Sequence, residues 1–203
     1  MIKIHGVPPS RTSRCLWMLE ELGVPYENVP VHFVGDTKKP EFLALNPNGR
    51  IPALEDDGLV LWESLAINLH LAEKYDNGFR PGSLEDRART IQWSFWVMTE
   101  VEPGLIDAFL HRTMLPEGQR DTQVADAGEE KLQRPLAVLD RHLAQQPFIL
   151  GQAFSLADLN VAGVLGIAPI AKVSLGKYPN VARWLGACMQ RAAARKVFGA
   201  LTG

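Results

Sequence analysis

The residue types best suited to chemistry fall in one short stretch, Asn46-Pro47-Asn48-Gly49-Arg50-Ile51-Pro52-Ala53-Leu54, followed by Trp62-Glu63-Ser64. The first part reads as a tight turn running into a strand whose second residue is proline. A proline there removes a backbone donor where a sheet should begin. Glu63-Ser64, placed before an apolar helical run, has the form of a polar clamp at a helix start. A strand edge and a helix N-terminus so arranged suit a small peptide-like ligand that carries a carboxylate.

The elements that must position these residues change character near residue 80. Before it, strand-like and helix-like segments alternate. Ile2–His5 reads as a strand, Ser13–Leu22 as a helix stopped by Gly23, Tyr26–Val31 as a second strand and Lys39–Leu45 as a short helix. Ala53–Glu55 and Leu59–Leu61 flank Asp56-Asp57-Gly58, a hairpin signal. Ser64–Tyr75 completes a βαβ–ββα order, which implies a mixed sheet flanked by helices. Residues 76–83 are rich in turn formers. Beyond them the pattern is helical: a long helix from Leu84 to about Arg112 with Ile91, Phe95, Met98 and Val101 on one face and a kink at Pro103, a helix marked by Leu132, Leu136, Leu139 and Leu143 with Pro135 bending or bounding it, a third over Ser155–Ile170, and short closing helices over Pro179–Met189 and Arg191–Phe198. The expected organisation is an α/β domain over residues 1–77 and an all-α domain over 84–203.

Composition narrows the function classes. The 203 residues are 46% hydrophobic and 22% charged, enough for a packed core, and the net charge of −2 comes without a basic block, so a nucleic-acid surface is not expected. No run approaches the roughly 18 apolar residues of a membrane span. Met1–Gly6 is strand-like and not a leader. Cys15 and Cys188 stand far apart with no metal-ligand spacing, and His5, His32, His70 and His142 show none either, so no metal and a reducing cytoplasm are the expectations.

Four segments in order carry a family pattern: Pro9–Gly23, Asn46–Pro52 (an NPxGxxP element), Glu63-Ser64-Leu65-Ala66-Ile67 (ES-x-AI), and Phe154–Asp158. Over essentially its whole length the chain resembles the cytosolic glutathione S-transferases, and its first loop resembles the serine-type bacterial and fungal members. The resemblance implies a thioredoxin-like N-terminal domain, a helical C-terminal domain, a homodimer, and glutathione as co-substrate with no permanently bound cofactor. It also implies conjugation of glutathione to a small hydrophobic electrophile, with peroxide reduction, thiol–disulfide exchange or a non-catalytic scaffold as alternatives.

Such chemistry requires a thiolate. A thiol of pKa about 8.5 is only a few per cent ionised at neutral pH. Lowering that pKa by about two units needs roughly 2.7 kcal/mol in favour of the anion. A helix N-terminus supplies about 0.3–1 kcal/mol, and a donated hydroxyl about 1.5–3 kcal/mol, so the hydroxyl contributes more than the helix end. The first loop offers Ser10, Thr12 and Ser13, and neither tyrosine nor cysteine. Ser10, four residues before Arg14 as in the serine-type pattern, is the first choice for the catalytic hydroxyl. Thr12 is the second, and Ser13 is assigned to the helix cap. Arg11 or Arg14 could add positive charge near the sulfur.

The resemblance further implies a cis Ile51–Pro52 bond that turns the Ile51 backbone toward the cysteinyl part of glutathione. It places Glu63 and Ser64 at the γ-glutamyl end, and Lys38, assisted by Arg50, at the glycyl carboxylate. Ser155 and Asp158 form an S-x-x-D capping box with a structural role. The electrophile pocket is expected on the first long helix, from Trp96, Phe109 and His111, with Trp93, Phe95 and Met114 as further aromatic or apolar candidates.

Overall fold

Ile2 and Ile4 alternate inward from β1 (Ile2–His5), which becomes an inner strand of a four-stranded sheet. The computed structural model describes residues 1–199. The sheet order is β2-β1-β3-β4. β2 (Tyr26–Val29) runs parallel to β1 after a crossover through α1 (Thr12–Leu22), and β3 (Ala53–Asp56) runs antiparallel to β1. β3 and β4 (Leu59–Trp62) close a hairpin on Asp57 and Gly58, both at positive φ (49° and 88°), the backbone that a tight two-residue turn requires. β2 stops two residues short of the expected Val31 because Pro30 has no N–H to give a ladder.

The short helix expected over Lys39–Leu45 divides into a 3₁₀ turn at Asp36–Lys38 and α2 (Pro40–Leu43). Lys39 between them is extended, the conformation that a following proline imposes. α3 (Ser64–Tyr75) packs on α1. Its far end is fastened by Asp56, whose carboxylate accepts from Lys74 Nζ (2.8 Å), Tyr75 Oη (2.6 Å) and His70 Nε2 (2.8 Å). Burial pushes that carboxyl up, and the three hydrogen bonds outweigh it and leave it below its ordinary range.

Residues 1–80 form one unit together with the segment from Arg191; Pro81–Gln190 form the other. The last helix, α9 (Ala192–Gly199), therefore joins the first unit, whereas the periodicity suggests that it closes the helical domain. It lies on α1 through a bidentate Arg191–Glu21 pair (2.6 and 2.7 Å), Lys196–Glu20 (2.7 Å) and an edge-to-face contact of Phe198 on Trp17. Those partners sit some 170 positions upstream, beyond the reach of any local pattern.

The second unit contains α4 (Leu84–Trp96), α5 (Glu102–Phe109), α6 (Thr122–Leu143), α7 (Leu156–Leu165) and α8 (Pro179–Met189). The long first helix is interrupted by π-type turns at Val97–Val101 and Leu110–Met114. The first opens just ahead of Pro103, whose ring would clash with the carbonyl of Thr99 in a regular helix. Its buried face is Thr90, Trp93, Ser94, Val97 and Val101; Phe95, expected on the apolar face, is 69% exposed.

Pro135 does not bound α6, which runs through it from Thr122 to Leu143. Proline inside a helix costs about 3 kcal/mol, and burial of Leu132, Leu136, Leu139 and Leu143, at about 1.5–3 kcal/mol each, exceeds that. α5 and α6 cross at Gly104 and Gly128, where a Cβ on either would sit within 2.6 Å of the other's carbonyl oxygen. α7 ends at Leu165 instead of Ile170 and is buried along its whole length. Among the described residues no helix is long and apolar enough to cross a membrane, and no group of three His, Cys, Asp or Glu side chains is placed to hold a metal.

Asp158 anchors the second unit. It is wholly buried, and its carboxylate accepts from Ser155 Oγ (2.6 Å), Ile149 N (2.7 Å), Trp184 Nε1 (2.8 Å) and Ser155 N (2.9 Å). Removing it strands several buried donors, each costing about 1–3 kcal/mol. Asp158→Ala should lower the melting temperature by about 5–15 °C in a calorimetric scan; an unchanged midpoint would remove the carboxylate from this role.

Candidate functional site

β1 delivers the chain at Gly6 into the loop Val7–Arg11, which ends at the N-terminus of α1. Helix formation there is opened by the Ser10 carbonyl, which accepts from Ser13 N at 3.0 Å, with Arg11 as the flanking residue. Ser13 is consequently not the cap. It lies inside the first turn, 2% exposed, and its Oγ has no hydrogen-bond partner. The helix starts at Thr12, one residue earlier than the periodicity indicates.

The two remaining hydroxyls differ in access. Ser10 is partly exposed, and its Oγ lies 2.6 Å from the Val7 carbonyl, 2.9 Å from Thr12 Oγ1 and 3.1 Å from Thr12 N. Thr12 is fully buried. Its Oγ1 is wedged against the end of β1, so that a Cβ on Gly6 would come within 2.1 Å of it. Gly6 also has φ +145°, a backbone that side chains avoid. Neither feature is signalled by anything in the sequence beyond a glycine after a strand.

The second side of the site is the corner before β3. Asn46 shapes it: its Oδ1 accepts from Asn48 N (3.0 Å), its carbonyl accepts from Gly49 N (2.9 Å), and its Nδ2 donates to the Arg50 carbonyl (2.6 Å). Ile51–Pro52 is cis, as is Pro8–Pro9 in the first loop. Ile51 is buried in a cluster with Val31, Phe42 and Ala53, against which Val7 packs. The hydroxyl loop and the Ile51 corner are thus held together by shared apolar packing. Lys38 Nζ lies over the same turn, 2.8 Å from where a Cβ on Gly49 would be, and Arg50 is exposed beside it.

The third side is the N-terminus of α3. Glu63 precedes it with φ 72° and ψ 111°, an unusual backbone for a residue with a side chain, and the residue is exposed. Ser64 begins the helix and is 2% exposed. Arg14 Nη1 reaches Ser64 Oγ at 3.5 Å, Cys15 Sγ meets the Ser64 carbonyl at 3.4 Å, and Asn68 Nδ2 donates to the Arg14 carbonyl at 3.3 Å. These contacts tie the two helix N-termini together. Asn68 carries no signal in the sequence, since an asparagine inside a helical run looks like any surface polar residue. Burial pushes the Cys15 thiol far up, so it stays protonated.

Trp96, Phe109 and His111 are not drawn into one cluster. Trp96 stacks edge-on against Trp93 at 4.8 Å, and Trp93 meets His142. A cavity of about 390 Å³ opens beside Trp93, with Val138, Arg141 and His142 on its walls and without Trp96, Phe109 or His111. Phe109 stands thirteen positions from Trp96, about 20 Å along a helix. His111 Nδ1 accepts from Asp121 N at 3.0 Å and so supports the loop before α6.

Residues 1–73 match the family described as glutathione S-transferase, N-terminal domain, and residues 96–192 the corresponding C-terminal domain. Glutathione S-transferase 1 of Zea mays is 36% identical over 209 residues, covering 97% of this chain and 95% of the relative. A glutathione S-transferase-like protein, gedE, of Aspergillus terreus is 32% identical over 98% of this chain and 95% of its own. Among solved structures, the theta class glutathione S-transferase of Xanthomonas axonopodis pv. citri with glutathione bound superposes with a TM-score of 0.90 at 31% identity, over 96% and 95% of the two chains. Glutathione transferase F7 of Populus trichocarpa gives 0.87 at 33%, over 98% of both.

Gly6→Ala should lower the melting temperature by at least about 5 °C, because the new Cβ collides with Thr12 Oγ1. Gly23→Ala, also at positive φ but with nothing within 4 Å of its Cβ, should lose less in the same thermal scan.

Proposed function

The chain belongs to the glutathione S-transferase family and is a glutathione transferase, and on that premise we propose that Ser10 activates the glutathione thiol. The observation that carries this reading is the hydroxyl of the partly exposed Ser10 at the opening of α1, set beside the Ile51 corner and the α3 N-terminus. The Ser10 hydroxyl donates to the sulfur and the α1 N-terminus adds its dipole, favouring the thiolate that attacks the electrophile.

The remaining roles are distributed around that hydroxyl. The Ile51 backbone pairs with the cysteinyl unit, next to Pro52. Ser64 and the first N–H groups of α3 receive the γ-glutamyl carboxylate, and Glu63 receives its ammonium. Lys38, with Arg50, serves the glycyl carboxylate, which their position over the Gly49 turn supports. The electrophile is small and hydrophobic. A homodimer is supported by exposed Leu59, Val60 and Trp62 on the edge strand β4, and a cytoplasmic setting by two free buried thiols. Thiol–disulfide exchange through an enzyme thiol is disfavoured, because Cys15, the cysteine nearest the loop, is buried and protonated.

Ser10→Ala should lower kcat for an aryl halide by about 10- to 100-fold, the equivalent of one charge-assisted hydrogen bond. Glutathione affinity, read by calorimetric titration, should change by less than about threefold, since the clamp residues remain. Unaltered turnover in that variant would exclude Ser10 as the activating group. A parallel panel with an organic peroxide and a mixed disulfide would rank the chemistries; faster turnover there than with the aryl halide would displace conjugation as the main activity.

A further inference from the structure

The first loop holds two hydroxyls in series, and their protons can be assigned. Ser10 Oγ lies 2.6 Å from the Val7 carbonyl and 2.9 Å from Thr12 Oγ1. A hydroxyl has one proton and a carbonyl has none to give. The shorter contact therefore takes the Ser10 proton, and the proton between the two hydroxyls comes from Thr12. Ser10 Oγ then accepts twice, from Thr12 Oγ1–H and from Thr12 N–H (3.1 Å), and donates once.

We propose that Thr12 is a positioning residue that acts through Ser10, its hydroxyl and backbone N–H polarising the Ser10 hydroxyl so that it becomes a stronger donor to the glutathione sulfur. This rests on the assignment of Ser10 to the sulfur. Two hydrogen bonds entering an oxygen draw electron density from its own O–H, and chained bonds strengthen one another by about 10–30% each. When a thiolate arrives, the Ser10 proton turns from the neutral Val7 carbonyl to the anion, the better acceptor. Thr12 itself has no route to the sulfur: it is wholly buried, and its Oγ1 is pinned beneath Gly6, where even a methyl group would come within 2.1 Å. This geometry also accounts for the glycine at position 6, since any larger residue would push the Thr12 hydroxyl off Ser10.

The test is a titration of the ultraviolet thiolate absorbance of enzyme-bound glutathione against pH. It compares the native protein, Thr12→Val, Thr12→Ser, Ser10→Ala and the Ser10→Ala/Thr12→Val double variant. Thr12→Val should raise the apparent pKa of the bound thiol by about half a unit. The acid limb of kcat/KM against pH should move up by the same amount, a fall of about threefold below the pKa and none above it, with KM for glutathione changed by less than about twofold. Thr12→Ser keeps the hydroxyl and should retain the native pKa. If Thr12→Val does not fold, Thr12→Ala provides the same readout. In the Ser10→Ala background the Thr12 substitution should add nothing further.

An unshifted thiol pKa in Thr12→Val would overturn the proposal, as would an equal shift with and without Ser10. If Ser10→Ala leaves the thiol pKa unchanged while Thr12→Val raises it, the assignment of Ser10 fails first and the relay falls with it. The two failures are therefore distinguishable.

Discussion

Every residue from Thr12 to Leu19 is buried, although Thr12, Ser13 and Arg14 are polar. A helix closed in on all sides cannot slide or rotate without breaking packing on another face. The sheet, α3 and α9 supply those faces, with Trp17, Met18 and Leu19 fully enclosed. Because α1 is immobilised, the loop before it is fixed at both ends, by β1 at Gly6 and by the first turn at Thr12. The Ser10 hydroxyl is thereby held on a rigid support even though it stands on a loop. Precision of this kind is what a hydrogen bond to a developing anion requires.

Polar groups inside that packing have to be satisfied from within, and the ways in which they are satisfied build the site. Arg14 is 4% exposed and reaches Ser64, while its carbonyl accepts from Asn68. The same contacts that compensate burial also set the distance between the two helix N-termini. Each terminus favours an anion through its dipole and its free N–H groups, as the proposed roles for the glutathione thiolate and carboxylate require. The unusual backbone at Glu63 fits this view, because it sits where α3 must begin in order to face α1. In the second unit Asp158 has the corresponding part, gathering donors from the α7 start, the preceding loop and α8 around one carboxylate.

Much of the fold is legible in the chain. The hairpin at Asp57-Gly58, the helix Ser64–Tyr75 and the helix beginning at Pro179 stand where turn chemistry and periodicity place them. Local steric rules account for most of the differences, such as Pro30 ending β2 and Pro40 dividing the short helix. Pro135 and α9 are of another kind. Proline in α6 is overridden by a buried leucine stripe, and α9 joins α1 through ion pairs to residues at the far end of the chain. The candidate site follows the same division. Residues in compact motifs, Ile51, Pro52, Glu63 and Ser64, are readable in sequence, whereas Asn68 and Gly6 matter through contacts across the fold.

The sequence by itself determined the family, the alternation of elements in the first unit, the helical character of the second, and the short list of hydroxyls able to serve a thiolate. These are local properties, written in spacing, turn residues and capping motifs. The spacing to Arg14 put Ser10 first among them, and only the tertiary structure shows how differently the three are surrounded. Ser10, Thr12 and Ser13 are chemically alike and close together, so their access is not written in the local sequence. Packing of β1 against α1 buries Thr12 beneath Gly6, encloses Ser13 in the first helical turn and leaves Ser10 partly open. Access to a ligand is a property of what surrounds a side chain, and those surroundings come from segments distant in the chain.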